Sequence, residues 1–583
     1  MSDTTAAGQA SITTLRELLE HGQTAYSERP SLGLFGDAVY SYGELGEQVE
    51  ALRRALASRG VKADDRVALL SENRPNWGVV YLAVTGMGAV IVPILPDFAP
   101  PEISRILDHA EVSVLCASRG LYPKVAEYRA TSAVLLVDDL VFIRPGTDAN
   151  ALPPGDDAAG AGAAAAPEVA TGLFGREKDT TAAGFRPAET DLAAILYTSG
   201  TTGQPKGVML THRNLVQNAL AARPLASIGP QDRLISILPL AHTYECTIGF
   251  LIPVSAGASI YYLGKPPTLS ALLPALQEVR PTIMLSVPLI IEKIYQSRVA
   301  PVFSKNVLTR TVGRVPPVRR LIHRVAGRKV HETFGGELHF FGIGGAPLSP
   351  EAERFLREGR FPYAIGYGLT ETAPLVAGSG AADTRARSTG PPVAGVEVRI
   401  DYEAGDGVHG EIQVRGPNVM QGYYRNQEAT QAAFTEDGWF KTGDLGAFDE
   451  DGYLYIRGRL KNMILGPSGE NIYPEEIEST INQNELVVES LVFQWKGQLV
   501  ARVHVNFDKL REYLGLNEVN VAAIQSKADE ILDGLRRQVN SQLGQFARLS
   551  RMVLEWEPFE KTPTQKIKRF LYTHLGQHNR EQG

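Results

Sequence analysis

Tyr197-Thr-Ser-Gly-Thr-Thr-Gly-Gln-Pro-Lys-Gly-Val-Met209 follows Leu192-Ala-Ala-Ile-Leu196, a short apolar run that reads as a buried strand. The strand feeds a loop holding Gly200, Gly203 and Gly207, the hydroxyls of Ser199, Thr201 and Thr202, and one cation, Lys206. Glycines let backbone N–H groups turn inward around an anion, hydroxyls add donors, and a lysine supplies charge. The combination is a grip for a polyphosphate. It differs from a Walker A loop, because no Gly-Lys-Ser or Gly-Lys-Thr follows the glycines at the required spacing.

Outward from this loop, helical and strand-like segments alternate. Glu44–Ala57 is amphipathic, Arg66–Leu70 reads as a strand, and Pro101–His109 predicts a helix before the strand Val112–Cys116. Such alternation predicts an α/β fold with parallel-rich sheets. Pro75 to Pro96 carries no charge, but Gly78, Gly86, Gly88, Pro93 and Pro96 interrupt it, so it reads as a buried helix and strand rather than a membrane span. Between 145 and 190 the composition turns to Ala, Gly and Pro with little to bury, which predicts a flexible surface loop. Beyond Gly458 two strand candidates, Ser490–Trp495 and Leu499–Phe507, precede a charged helical pattern over Val521–Gln542. The expected domains are therefore a large one over residues 1–458 and a small α+β one over 459–583.

At 583 residues, 44% hydrophobic and 21% charged, the chain has the composition of a globular protein with a sizeable core. Its net charge of −7 gives no reason to expect nucleic acid as a partner. Cys116 and Cys246 are its two cysteines, with no CxxC, which argues against a disulfide scaffold or structural zinc and fits a reducing cytoplasm. The first ten residues lack the basic and apolar regions of a secretory signal.

Several further segments suit one nucleotide site. His339-Phe-Phe-Gly-Ile-Gly-Gly-Ala-Pro-Leu348 is a strand running into a glycine turn, where backbone can approach a flat base. Tyr363-Ala-Ile-Gly-Tyr-Gly-Leu-Thr-Glu-Thr372 joins an aromatic face at Tyr367 to the hydroxyl of Thr370 and the carboxylate of Glu371. A lone carboxylate beside phosphates suits a magnesium ion that stays partly hydrated. Asp444, in Trp439-Phe-Lys-Thr-Gly-Asp-Leu445, is expected at a turn, its two oxygens able to accept from ribose hydroxyls. Arg459 and Lys461 supply cations at the expected boundary, and Lys561-Thr-Pro-Thr-Gln-Lys-Ile-Lys-Arg569 is a basic loop near the C-terminus.

In this order the segments resemble the adenylate-forming superfamily of acyl-CoA synthetases, nonribosomal adenylation domains and luciferases, from about Tyr40 to Arg569. The resemblance implies an ATP site built from Thr198, Ser199, Gly200, Thr201, Thr202, Gly203 and Lys206 around the phosphates. It adds Gly345, Ala346, Pro347, Gly366, Tyr367, Gly368 and Thr370 around the base, with Asp444 and Arg459 on the ribose. It further implies Mg²⁺ at Glu371 and Thr201, catalytic roles for Lys566, His242 and Thr370, and a hinge at Lys461 for a mobile small domain. Coenzyme A would reach the site along a path lined by Gly469. Two features depart from the family: Gln565 precedes Lys566 where the family usually has Gly, and the loop Leu465–Gly469 is longer than in many relatives.

Ser71-Glu-Asn-Arg-Pro-Asn-Trp77, Val287-Pro-Leu-Ile-Ile-Glu-Lys-Ile-Tyr295 and Ser468–Glu478 look most like the long-chain fatty acid–CoA ligases. Leu238-Pro-Leu-Ala-His-Thr-Tyr-Glu245 matches the family's segment beside the acyl carboxylate, with His242 near the reacting carbon. Glu245 is out of register to serve a substrate ammonium, and Thr247–Val254 is apolar, as an alkyl chain requires. The implied reaction joins a medium- to long-chain fatty acid to CoA through an acyl-adenylate, releasing AMP and pyrophosphate. Loading of an acyl carrier protein and a non-catalytic acyl or nucleotide sensor are the alternatives. Residues 305–329 carry six arginines and no acid among apolar residues, which suits peripheral contact with the inner face of an anionic membrane; Pro316-Pro317 is expected to split them into two short segments. Oligomeric state stays open, a homodimer being one option.

Overall fold

The uncharged stretch after Arg74 folds as helix Pro75–Gly86 and strand Val90–Ile94, with Pro75 in the first helical turn, where its missing N–H costs nothing. Trp77 through Gly86 and every residue of the strand are buried, so uniform apolarity here marks a core. In this computed structural model residues 12–148, 185–199, 205–304, 315–405, 407–466, 470–514, 521–562 and 566–573 are described. Residues 149–184, which make up most of the expected surface loop, lie outside them.

The chain divides into two compact units, Met1–Val398 with Val414–Phe440, and Arg399–Gln413 with Lys441–Gly583. Two eight-stranded sheets build the first unit among the described residues. One runs in spatial order Gly422–Tyr423, Pro205–Thr211, Leu192–Ser199, Val90–Ile94, Arg66–Leu70, Val114–Ala117, Ala133–Leu136 and Val141–Ile143. Its central pairs are parallel, with Val67 opposite both Ile91 and Val114. Its two ends are antiparallel. In the other sheet Arg233–Ser236 pairs in parallel with both Ser259–Tyr262 and Ile283–Ser286, followed by Phe340–Ile343 and Tyr363–Gly368. Helices such as Tyr42–Ser58, capped by Ser41 and Glu44, cover the sheets. This is the parallel-rich α/β architecture that the alternation predicts.

The second unit carries its own core. Strands Val487–Trp495, Gln498–Val505 and Arg551–Glu555 form one sheet, on which helix Val521–Asn540 packs through Leu532, Leu535 and Val539. Hairpin Phe440–Phe448/Leu454–Arg459 groups with this unit from Lys441 onward, so the contact boundary falls earlier than residue 458. The composition shift at Gly458 therefore lies inside the unit, next to the last residue of strand Leu454–Arg459.

Val315 is extended and Pro316 and Pro317 open helix Pro316–Thr333, so the chain breaks at the prolines as expected, although the helix that follows is 18 residues long; residues 305–314 lie outside the described residues. Proline is tolerated there because the first-turn N–H groups have no helical partner.

Candidate active site

Strands Leu192–Ser199 and Pro205–Thr211 are antiparallel neighbours, with Thr198 opposite Lys206 and Ser199 opposite Pro205. Their register brings both ends of the expected phosphate loop together; Gly200, Thr201, Thr202 and Gly203 themselves lie outside the described residues. Beside them runs Gly422–Tyr423, with Tyr423 opposite Val208. Lys206 Nζ sits 5.1 Å from the centre of the Tyr423 ring, within cation–π range. The Tyr423 hydroxyl donates to Glu371 Oε1 at 2.9 Å. Burial and the adjacent Glu371 charge push the Tyr423 phenol well above its ordinary range, so it stays a donor at neutral pH.

Glu371 and Thr370 sit half-buried in a single turn, Thr370–Thr372, after strand Tyr363–Gly368. Asn418 braces this turn, its Nδ2 donating to the carbonyls of Thr372 and Leu375 at 3.0 Å each. Tyr367 is buried in the preceding strand, opposite Ala377, with Gly366 opposite Gly378. A Cβ on Gly368 would lie 1.8 Å from the Pro374 carbonyl oxygen, so a side chain there would displace the backbone. Strand Phe340–Ile343 ends in the exposed Gly345-Ala346-Pro347, with Gly345 at φ +88°. Gly344 faces the ring of Tyr244, which a Cβ would meet at 3.2 Å. The base-side turn and the Leu238–Glu245 segment are thus packed together.

Within that segment His242 is half-buried and its Nδ1 accepts from the Tyr244 N–H at 3.2 Å, which assigns any proton on a neutral ring to Nε2. A buried π-helical turn, Glu245–Leu251, and helix Ile252–Ala256 follow. Phe250 packs edge-on against Trp77 and Tyr81, so part of the apolar stretch serves the core. Glu245 is 1% exposed, and burial pushes its carboxyl up to about 8. A carboxyl neutral at pH 7 offers no charge to an ammonium, in agreement with the register argument.

In the second unit, Asp444 is placed inside strand Phe440–Phe448 and not at a turn. It is opposite Arg459, whose Nε approaches Asp444 Oδ1 to 2.8 Å, so the ladder brings the two expected ribose ligands together. Lys461 is exposed in the short helix Leu460–Asn462. Lys566 is exposed too, in a loop anchored on one side by Lys561 to Glu489 (2.6 Å) and on the other by Arg569 to Glu478 (2.8 Å). Gly469 and Gln565 lie outside the described residues.

Residues 19–424 match the family described as "AMP-binding enzyme". The chain belongs to this family. The AMP-binding enzyme is also 34% identical to "Long-chain-fatty-acid--CoA ligase FadD15" of Mycobacterium bovis, over 77% of this chain and 74% of that protein. It is 30% identical to "Long chain acyl-CoA synthetase 6, peroxisomal" of Arabidopsis thaliana, over 96% and 84% of the respective chains. Among solved structures it is similar to ATP-bound MatB from Rhodopseudomonas palustris, with TM-score 0.70 and 26% identity over 96% of this chain and 98% of that one.

The AMP-binding enzyme uses ATP with Mg²⁺, and the donor set accommodates the ion. Among the described residues no cluster of three or more His, Cys, Asp or Glu is present. Glu371 is a half-buried carboxylate whose Oε1 accepts from the Tyr423 hydroxyl.

Tyr423, Asn418 and Asn73 carry site geometry that the sequence reading did not assign. The pair Tyr423-Tyr424 after Gly422 was a signal for the first, being an aromatic cluster at an apolar strand edge. The two asparagines gave none, because their roles rest on partners distant in sequence.

Proposed function

We infer that this AMP-binding enzyme is an AMP-forming acid–thiol ligase that joins a long-chain fatty acid to CoA. The observation that carries the reading is the convergence of Lys206 and Glu371 on one tyrosine, in a unit where the base-side turn packs against the His242 segment. The relatives that cover most of the chain are named as CoA ligases, which favours this activity over carrier-protein loading or a sensor.

A fatty carboxylate is a weak nucleophile, and its attack on ATP brings like charges together. In our reading Lys206 and the loop hydroxyls draw charge from the β- and γ-phosphates, and Lys566 spans the acyl carboxylate and the α-phosphate. A bound Mg²⁺ adds electrophilic stabilisation at the phosphates. Asp444 and Arg459 hold the ribose, Tyr367 stacks on the base, and His242 lies beside the acyl carboxylate. Lys461 is the hinge about which the 459–583 domain turns between the two half-reactions, and Gly469 lines the CoA path.

Pyrophosphate release across acids from acetate to oleate, with and without CoA, tests the assignment. Turnover that rises with chain length and yields a CoA ester supports it; release with short acids alone overturns it. Lys566→Ala is expected to abolish adenylation while thiolation of supplied acyl-adenylate survives, and loss of both removes the Lys566 role.

Among the described residues no helix is long and apolar enough to cross a membrane. Our reading places the enzyme in the cytoplasm, touching an anionic membrane through the 305–329 region. Helix Pro316–Thr333 supports that contact, because Arg320, Leu321, Arg324, Val325 and Arg328 share one exposed face.

A further inference from the structure

Asn73 lies just beyond strand Arg66–Leu70, which belongs to one large sheet, yet its side chain is committed to the other. Its Nδ2 donates to Ser236 Oγ at 2.9 Å and to the Leu238 carbonyl at 2.6 Å, and its Oδ1 accepts from the Leu240 N–H at 2.9 Å. Ser236, the last residue of strand Arg233–Ser236, passes its own proton on, donating to Glu245 Oε1 at 2.5 Å. The relay therefore grips the Leu238–Tyr244 bend at both ends, directly at Leu238 and Leu240 and through Ser236 at Glu245. His242 lies between those ends and gains local bonds, accepting from Tyr244 and closing a turn onto the Pro239 carbonyl at 3.0 Å.

The anchor is itself fixed. Asn76 Nδ2 donates to the carbonyls of Val137 and Asp138 at 2.9 and 3.0 Å, and Arg74 pairs with Asp138. Residues 73–76 thus join the ends of strands in both sheets. Ser236 is 4% and Glu245 1% exposed, so water is a poor substitute for any partner removed from this chain.

We propose that Asn73, acting through Ser236 and Glu245, is a positioning residue for acid activation that clamps the Leu238–Tyr244 bend and sets the His242 ring against the acyl carboxylate. The proposal rests on the placement of His242 at the acyl end. It gives the asparagine of Ser71–Trp77 a mechanical role in one half-reaction.

Pyrophosphate release measured while acid and ATP are varied separately tests it, in Asn73→Ala, Ser236→Ala, His242→Ala and the Asn73→Ala/His242→Ala pair. Asn73→Ala and Ser236→Ala are each expected to lower kcat/KM for the acid about tenfold, with KM for ATP within about twofold of wild type. The double variant is expected to be no worse than His242→Ala alone by more than about twofold, because the two act through one segment. Glu245→Gln, which keeps an acceptor for Ser236, should recover most of what Glu245→Ala loses. Multiplying effects of Asn73→Ala and His242→Ala, or equal losses for acid and ATP, overturn the proposal and leave the His242 reading intact. An unchanged acid kcat/KM in His242→Ala removes that reading, and the proposal with it. Should Asn73→Ala fail to fold, Ser236→Ala decides by the same split.

Discussion

The hydroxyl of Tyr423 donates to Glu371 Oε1 at 2.9 Å while its ring faces Lys206. One side chain thus aligns the carboxylate suited to the metal with the cation suited to the phosphates. Tyr423→Phe keeps the ring and removes the donor. The expected result is an increase of about tenfold in the Mg²⁺ concentration for half-maximal pyrophosphate release, as for other groups that orient a metal ligand. The KM for acid should stay unchanged, and a Mg²⁺ requirement equal to wild type would argue against the alignment role.

Asp444 and Arg459 meet across a strand ladder at 2.8 Å, with Asp444 buried and Arg459 nearly half exposed. Asp444→Ala leaves the arginine without its carboxylate and removes both acceptors that the proposed function assigns to the ribose. The KM for ATP is expected to rise about tenfold or more, consistent with the loss of charge-assisted hydrogen bonds. A 2′-deoxy-ATP comparison checks the ribose assignment, since the variant should discriminate less between the two nucleotides.

Glu245 links pH to stability. Burial pushes its carboxyl from an ordinary 4.5 up to about 8, so the folded chain holds a proton that the unfolded chain releases. The associated stability is fully present below about pH 4.5 and is lost as pH rises toward about 8, at up to about 1.4 kcal/mol per pH unit. Glu245→Gln cannot ionise. Urea unfolding at pH 5, 6.5 and 8 should show a weaker fall in midpoint for this variant than for wild type, and parallel profiles would contradict the assignment.

Helix Pro316–Thr333 separates its arginines by function. Arg319 pairs with Glu358 at 2.8 Å, beside the buried His323, so its reversal is expected to disturb packing. Arg320 and Arg324 instead flank Leu321 and Val325, which are 62% and 54% exposed. Arg320→Glu with Arg324→Glu should cut co-sedimentation with anionic liposomes severalfold while leaving turnover of a short soluble acid unchanged. Unchanged sedimentation would remove the membrane contact.

Local chemistry made much of this protein legible. Alternating apolar segments predicted the parallel-rich sheets, and the uncharged Pro75–Pro96 stretch was readable as a helix and strand because glycine and proline punctuate it. Gly368 and Glu371 stood out for the same reason, since turns and lone carboxylates leave marks within a few residues. The proline pair at 316–317 was readable as a break, because a first-turn proline loses no helical hydrogen bond while one further inside does, and the helix starts there.

Composition and motif order in the sequence by themselves determined the α/β class, the family resemblance and the residue types at the phosphate loop. Only the tertiary structure decided that Tyr423 bridges Lys206 and Glu371, that Asp444 lies in a strand opposite Arg459, and that Asn73 grips the His242 segment. Those pairings join residues up to 217 positions apart, as in Lys206 and Tyr423. Strand register and sheet order set them, and no short window of sequence encodes either.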